Sequence, residues 1–128
     1  MIGIVIVAHG DLANSYKSAV EHVVGRQDAI VAIKISPETD RSAKELEICQ
    51  AADGVDAGDG VVVVTDMFGG SPSNLSLLAC QPKNRKILFG ANLPALIKLA
   101  KSRHKPLDVA ISAAAAAGRK YIDTFDGS

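Results

Sequence analysis

The sequence predicts a doubly wound α/β domain: a mostly parallel sheet of four strands with helices on both faces. Two observations predict this class. Short apolar runs rich in Val and Ile alternate along the 128 residues with segments of helical periodicity, as in chains of right-handed βαβ units. The strand runs are apolar at almost every position, which is typical of parallel strands covered on both faces. The length suits one domain, and we expect 1–128 to form it.

The first half of the chain carries two strand–helix units. A β-branched run over 2–8 predicts the first strand, and His9-Gly10 ends it. Asp11 is expected to cap the next helix, which has apolar residues at helical spacing and stops at Gly25. The second unit has a predicted strand at 29–35, a break at Ser36-Pro37 and a helix at 42–55.

The second half continues the alternation. The most hydrophobic run, 61–64, predicts the third strand, which ends in Thr65-Asp66. Ser71 is expected to cap a helix through position 80, with Pro72 in the first helical position, where its missing N–H costs nothing. The remaining predicted elements are a strand at 86–90, helices at 92–103 and 106–120, and a tail at 121–128 that is an edge strand, an exchanged strand or a loose end.

Composition narrows the class of function. The 14 basic and 14 acidic residues cancel, which argues against nucleic acid as the main partner because backbone binding needs a basic surplus. No apolar run is long enough to span a membrane, and the apolar start lacks a basic leader, so we expect a cytoplasmic protein without membrane insertion. The basic bend at 101–105 is expected to be a solvated loop. Cys49 and Cys80 are expected to be small core residues.

The ends of the first and third strands place polar residues together. Ligands of open parallel sheets bind beyond the carboxyl ends of the strands, near the point where strand order reverses. If these strands are neighbours, His9 and Asp66 lie side by side there, and Asp66 can fix the imidazole tautomer so that one nitrogen presents its lone pair.

A glycine-rich turn faces this predicted pair. Gly69 and Gly70 allow close approach of the backbone to a ligand, and the helix start offers N–H groups and the hydroxyls of Ser71 and Ser73 to a phosphoryl group. The sequence has no metal-ligand spacing and no nucleotide-binding glycine motif, so we expect no metal or cofactor. Each feature alone has an ordinary structural explanation, and the fold leaves the reaction type open.

Three segments carry a resemblance to a known family. They are the first strand with His9-Gly10, the run Thr65-Asp66-Met67-Phe68-Gly69-Gly70-Ser71-Pro72-Ser73-Asn74, and Gly90-Ala91-Asn92-Leu93-Pro94. In order and spacing they resemble the enzyme IIA component of the mannose family of the bacterial sugar phosphotransferase system.

The resemblance implies a phosphocarrier without a cofactor. It implies that His9 accepts a phosphoryl group from phospho-HPr and passes it to a IIB protein, for sugar uptake or for regulation. Asp66 matches the acid paired with the active histidine, and the phosphoryl-side residues are expected to be Gly10, Gly69, Gly70, Ser71 and Ser73. The Asn92 loop is expected near the same edge. The resemblance also implies a homodimer, for which the tail is the candidate exchanged strand, and a stand-alone IIA with a separate IIB partner.

Two other functions stay open at this point. The phosphotransfer subunit of a dihydroxyacetone kinase shares the fold and a histidine after the first strand, although the 66–74 run favours the mannose-type interpretation. A non-catalytic regulatory module of the same fold would bind a partner and would need no reactive His9.

Overall fold

The computed structural model describes residues 1–67, 70–82 and 84–127. Within these ranges the chain forms one parallel sheet in the order β2-β1-β3-β4, which confirms the predicted fold class. The strands are β1 (Gly3–His9), β2 (Ile30–Ile35), β3 (Val61–Thr65) and β4 (Arg85–Leu88), and the helices are α1 (Leu12–Val24), α2 (Arg41–Val55), α3 (Ser71–Leu75), α4 (Leu93–Lys101) and α5 (Leu107–Lys120), with a short 3₁₀-helix at Leu78–Cys80.

Alternate side chains of the central strands enter two separate apolar layers. In β1, Ile4 and Ile6 pack with α1, α4 and α5, whereas Val5 and Val7 pack with α2 and the α3 region. β3 is buried along its whole length, because helices cover both faces of the sheet. Cys49 and Cys80 pack against the second layer as predicted, and burial raises the pKa of Cys80 to about 11.

The α3 region differs from the predicted single helix. α3 ends at Leu75, and the chain continues through a turn into the 3₁₀-helix. The Ser76 hydroxyl donates to the Pro72 carbonyl at 2.6 Å, and the Ser76 N–H bonds to Ser73 rather than one residue further back. Such local bonds compete with the regular helical ladder. Gly70 occupies the cap position that was predicted for Ser71.

Two other local expectations are corrected. Asp11 occupies the cap position of α1, but its side chain makes no capping bond. Its carboxylate instead accepts from Lys34 Nζ at 3.3 Å. The described tail residues, 121–127, are exposed and form neither helix nor strand, so they add no edge strand to the sheet of their own chain.

The prediction that the basic bend at 101–105 is a solvated loop is wrong for Arg103, which is only 2% exposed. Its Nε donates to the Ile2 carbonyl at 2.8 Å and its Nη2 to the Ala29 carbonyl at 2.9 Å. These carbonyls lie at the amino ends of β1 and β2. The planar guanidinium supplies several donors in a fixed geometry, which suits it to satisfy both strand starts at once. Burial lowers the pKa of Arg103.

At the same end of the sheet, Gly3 of β1 packs closely against the last residue of α2. A Cβ at Gly3 would overlap both the carbonyl oxygen and the side chain of Val55, the last residue of α2. Because backbone atoms cannot move aside cheaply, β1 and α2 can approach this closely only with glycine at this position. In the described part of the chain, no helix is long and apolar enough to cross a membrane.

We expect Arg103→Met to lower the free energy of unfolding by about 1–3 kcal/mol, because it removes the side-chain donor to the Ile2 carbonyl and leaves the Ala29 carbonyl with the Ile4 N–H as its remaining donor. Denaturant unfolding measures the loss. The matched control is His104→Ala, at the exposed neighbouring position, which should change stability little. Equal stability of the two variants would contradict a structural role for the guanidinium.

Candidate active site

His9 and Asp66 lie together at the carboxyl edge of the sheet. β1 and β3 are parallel neighbours, and Val7 pairs with Thr65. His9 is the last residue of β1, and Asp66 directly follows β3. His9 Nδ1 lies 2.8 Å from Asp66 Oδ2. The strand-end argument therefore identified two residues that the fold brings into hydrogen-bond contact.

One carboxylate oxygen holds His9 at two points. Asp66 Oδ2 accepts from the backbone N–H of His9 at 3.0 Å as well as contacting Nδ1. Because a carboxylate can only accept, Nδ1 carries a proton in this contact, and in the neutral ring Nε2 then holds the lone pair. The His9 side chain is 52% exposed and that of Asp66 is 11% exposed. The arrangement presents a nucleophilic nitrogen to solvent and keeps its partner acid largely buried.

Tyr16 of α1 lies close enough to this pair to be affected by the charge of Asp66. Burial and then the negative charge of Asp66 raise the pKa of Tyr16. Its hydroxyl donates to the Ala91 carbonyl at 3.1 Å. Asp66 Oδ1 is buried and has no hydrogen-bond partner among the residues that the structure describes. Among the described residues, the hydrogen bonds of this carboxylate are thus made by Oδ2, on its His9 side.

The glycine-rich turn approaches the imidazole closely. A Cβ added to Gly70 would lie 3.5 Å from His9 Cε1 and 3.2 Å from Met67 Cγ. Ser73 is buried, and its hydroxyl donates to the Gly70 carbonyl at 3.0 Å. Ser73 therefore holds the turn, whereas the exposed Ser71 lines the cleft beside His9. Gly69, the other predicted glycine, lies outside the described residues.

Gly10 acts through the backbone. Its φ is +54°, a left-handed conformation that favours glycine. Its N–H donates to the Ile35 carbonyl at 2.8 Å. Because this N–H is already bonded to β2, it is not free to bind a ligand. The left-handed conformation of Gly10 turns the chain from His9 into α1.

The Asn92 loop lies at the same edge of the sheet. The Ala91 N–H donates to the Thr65 carbonyl at 2.9 Å, which ties the loop to the residue before Asp66. Asn92 itself caps α4 through Ala95 N–H and donates to the Gly118 carbonyl at 2.8 Å. Its side chain fastens α4 to α5.

A cleft of about 570 Å³ opens beside His9. The β2 side of this cleft carries Lys34 and Glu38, neither of which the sequence motifs predict as a site residue. The parallel pairing of β2 with β1, His9 opposite Ile35, is the signal that could have found it. Its lining residues are His9, Gly10, Lys34, Ile35, Ser36, Pro37, Glu38 and Ser71. Across residues 1–67, 70–82 and 84–127, no group of three His, Cys, Asp or Glu side chains could hold a metal ion.

Comparison with known proteins gives one family. The family model EIIA-man, described as the fructose IIA component of the PTS, the sugar phosphotransferase system, matches residues 3–116. The chain belongs to this family. The resemblance inferred from the sequence motifs is thereby confirmed, and the chain is a PTS component of the mannose/sorbose type.

Individual relatives of this IIA chain are components of the same phosphotransferase system. It is 28% identical over 104 residues to the sorbose-specific EIIA component of Lacticaseibacillus casei, covering 76% of this chain and 70% of that protein. It is 28% identical over 125 residues to the mannose-specific EIIAB component of Escherichia coli K12, covering 94% of this chain but spanning only 38% of that protein.

Solved structures share the architecture. The crystal structure of EIIA from Streptococcus agalactiae has a TM-score of 0.85 at 26% identity and 97% coverage of both chains. The IIA protein of the fucose utilization operon of Streptococcus pneumoniae has a TM-score of 0.77 at 27% identity, over 88% of this chain and 87% of that one.

We expect nitrogen NMR of this IIA chain near neutral pH to find the neutral His9 ring in the Nδ1–H form, because Asp66 accepts from Nδ1. Asp66→Ala removes that acceptor and should shift the population toward the Nε2–H form. Asp11→Ala, which removes a nearby exposed carboxylate, is the control and should leave the tautomer unchanged. An Nε2–H ring in the unaltered chain would contradict the site geometry.

Proposed function

We propose that this chain is a phosphocarrier in which His9 accepts a phosphoryl group from phospho-HPr and passes it to a IIB protein. The observation that carries the proposal is the 2.8 Å contact of His9 Nδ1 with Asp66, which leaves Nε2 as the outward nitrogen of an exposed ring. Membership of the IIA family supports a phosphoryl relay rather than another use of the same pair.

The transfer uses a lone pair and moves no proton. The Nε2 lone pair attacks phosphorus, so that an N–P bond forms while the bond from phosphorus to the donor imidazole breaks and returns its electron pair to the donor. The Nδ1 proton stays between His9 and Asp66. The ring becomes positive during attack, and a unit charge 4 Å away stabilises it by about 4 kcal/mol at an effective dielectric near 20. Transfer to IIB reverses these steps on a second histidine.

The glycine-rich turn has two roles in this proposal. Gly70 keeps the space beside His9 Cε1 free of a side chain, so the phosphoryl group can approach the turn closely. The Ser71 hydroxyl, at the cleft wall, is a donor to the phosphoryl oxygens, and Gly69 keeps the phosphoryl-side role that the sequence motif predicts for it. Ser73 supports the turn through Gly70 rather than as a direct donor.

The partners belong to the same proposal. The name EIIAB of the Escherichia coli relative supports a IIB domain as acceptor, for sugar uptake or regulation in the cytoplasm. We further propose a homodimer, since Ile122 and Phe125 in the tail are 75% and 95% exposed and exposed apolar side chains of this size favour an interface. Sedimentation at micromolar concentration tests this, and a monomer would contradict the dimer.

Incubation with phosphoenolpyruvate, enzyme I and HPr should give one acid-labile phosphoryl adduct per subunit, since phosphohistidine is acid-labile. His9→Ala should abolish the adduct. His22→Ala and His104→Ala are matched controls on exposed histidines and should label normally. Labelling that survives His9→Ala would overturn the site assignment.

The same assay separates the role of the acid from that of the nucleophile. Asp66→Ala should fold and still label at His9, but about 10- to 100-fold more slowly, because the carboxylate that accepts from the ring Nδ1–H and from the His9 backbone N–H is lost. Unchanged labelling kinetics would remove Asp66 from the mechanism.

A further inference from the structure

We propose that Lys34 is the cation that balances the phosphoryl group on His9, and that Asp11 holds its ammonium near the site until the group arrives. This inference rests on the proposed function, because it assumes that His9 is phosphorylated. It assigns a charge-balancing residue to β2, a strand that supplied no site residue in the sequence analysis.

Lys34 is placed beside His9 by strand register. It pairs with Ala8, and the following residue, Ile35, pairs with His9. Its side chain is 53% exposed, and Lys34 is one of the residues that line the same cleft as His9. Lys34 Nζ lies 3.3 Å from Asp11 Oδ1, so the ammonium reaches from β2 to the residue that follows His9-Gly10. Because side chains alternate along a strand, the Lys34 side chain leaves β2 on the sheet face opposite to that of His9, and it reaches the strand ends at Asp11.

The charges around His9 need a cation once the ring is phosphorylated. Asp66 contacts the imidazole, Asp11 follows it by two residues, and Glu38 lines the cleft. A phosphoryl group near neutral pH adds nearly two further negative charges. Of the residues that line this cleft in the described part of the chain, Lys34 is the one with a permanently basic side chain.

The ion pair with Asp11 suits a cation that has to move. An exposed pair of this kind is held weakly, because solvent screens it. A lysine has a flexible four-carbon stem and three rotatable donors. The ammonium can therefore leave Asp11 for the stronger charge of the phosphoryl oxygens without any change in the backbone.

Lys86 provides a matched control. It is also a strand lysine, on β4, with a side chain that is 46% exposed and an Nζ that lies 3.6 Å from Asp108 Oδ1. It does not line the cleft beside His9. Lys34→Gln and Lys86→Gln therefore remove the same charge from similar surroundings, at the site and away from it. Lys34→Arg keeps the charge and tests whether charge alone suffices.

The experiment combines a rate with a spectroscopic titration. Each chain is labelled by phosphoenolpyruvate, enzyme I and HPr, and the purified phosphorylated chain is then titrated by phosphorus NMR. In Lys34→Gln we expect labelling to be about tenfold slower, the effect of one lost charge-assisted hydrogen bond. We also expect the pKa of the phosphoryl group to rise, because its dianion loses a neighbouring cation. Lys34→Arg should restore most of the labelling rate and most of the phosphoryl pKa, and Lys86→Gln should show the same rate and pKa as the unaltered chain. The titration involves no partner, so it separates this effect from altered docking of HPr.

The outcomes separate the two proposals. If the unaltered chain gains no phosphoryl group on His9, the proposed function fails. If His9 is labelled but the titrations of Lys34→Gln and Lys86→Gln coincide with that of the unaltered chain, the role of Lys34 is overturned and the phosphocarrier function stands.

Discussion

A single carboxylate oxygen organises the site. Asp66 Oδ2 binds the backbone N–H and the ring Nδ1 of the same residue, His9. The first bond fixes where the carboxylate lies relative to the main chain, and the second fixes how the ring is turned. Neither would be available if β1 and β3 were not adjacent and parallel, so the chemistry depends directly on strand order. In the proposed function, the His9 ring is oriented before a partner binds, which lowers the entropy lost on reaching the reactive geometry.

The surroundings of Asp66 maintain this arrangement. The Ala91 N–H is bound to the Thr65 carbonyl, and the Tyr16 hydroxyl is bound to the Ala91 carbonyl. These bonds join the ends of β3 and β4 to α1 beneath the exposed ring. On the other side, the Ser73 hydroxyl holds the Gly70 carbonyl. The exposed histidine is therefore supported by groups that are mostly withdrawn from solvent.

The sequence was sufficient for the fold class and for the His9–Asp66 pair, for a physical reason. Long apolar runs determine strands and their burial, and parallel strands that end in polar residues bring those residues to one edge. The position of Lys34 was not accessible in this way, because it depends on the register of β2 and on which side chain reaches across a strand end. The burial of Arg103 was missed because a basic run usually indicates solvated side chains. Its burial depends on carbonyls of Ile2 and Ala29, distant in sequence. The early end of α3 accompanies a hydrogen bond from the Ser76 hydroxyl to the Pro72 carbonyl. The apolar periodicity of the sequence does not indicate which acceptor a serine hydroxyl will bind.

Arg103 lies at the amino end of the sheet, opposite to His9. It satisfies the starts of β1 and β2, and near it β1 packs so tightly against α2 that Gly3 tolerates no side chain. The determinants of folding and those of the candidate chemistry thus occupy opposite poles of one molecule. Random substitutions should consequently divide by location: those at the amino pole reduce how much protein accumulates in the cell, and those at the carboxyl pole leave a full yield of inactive protein.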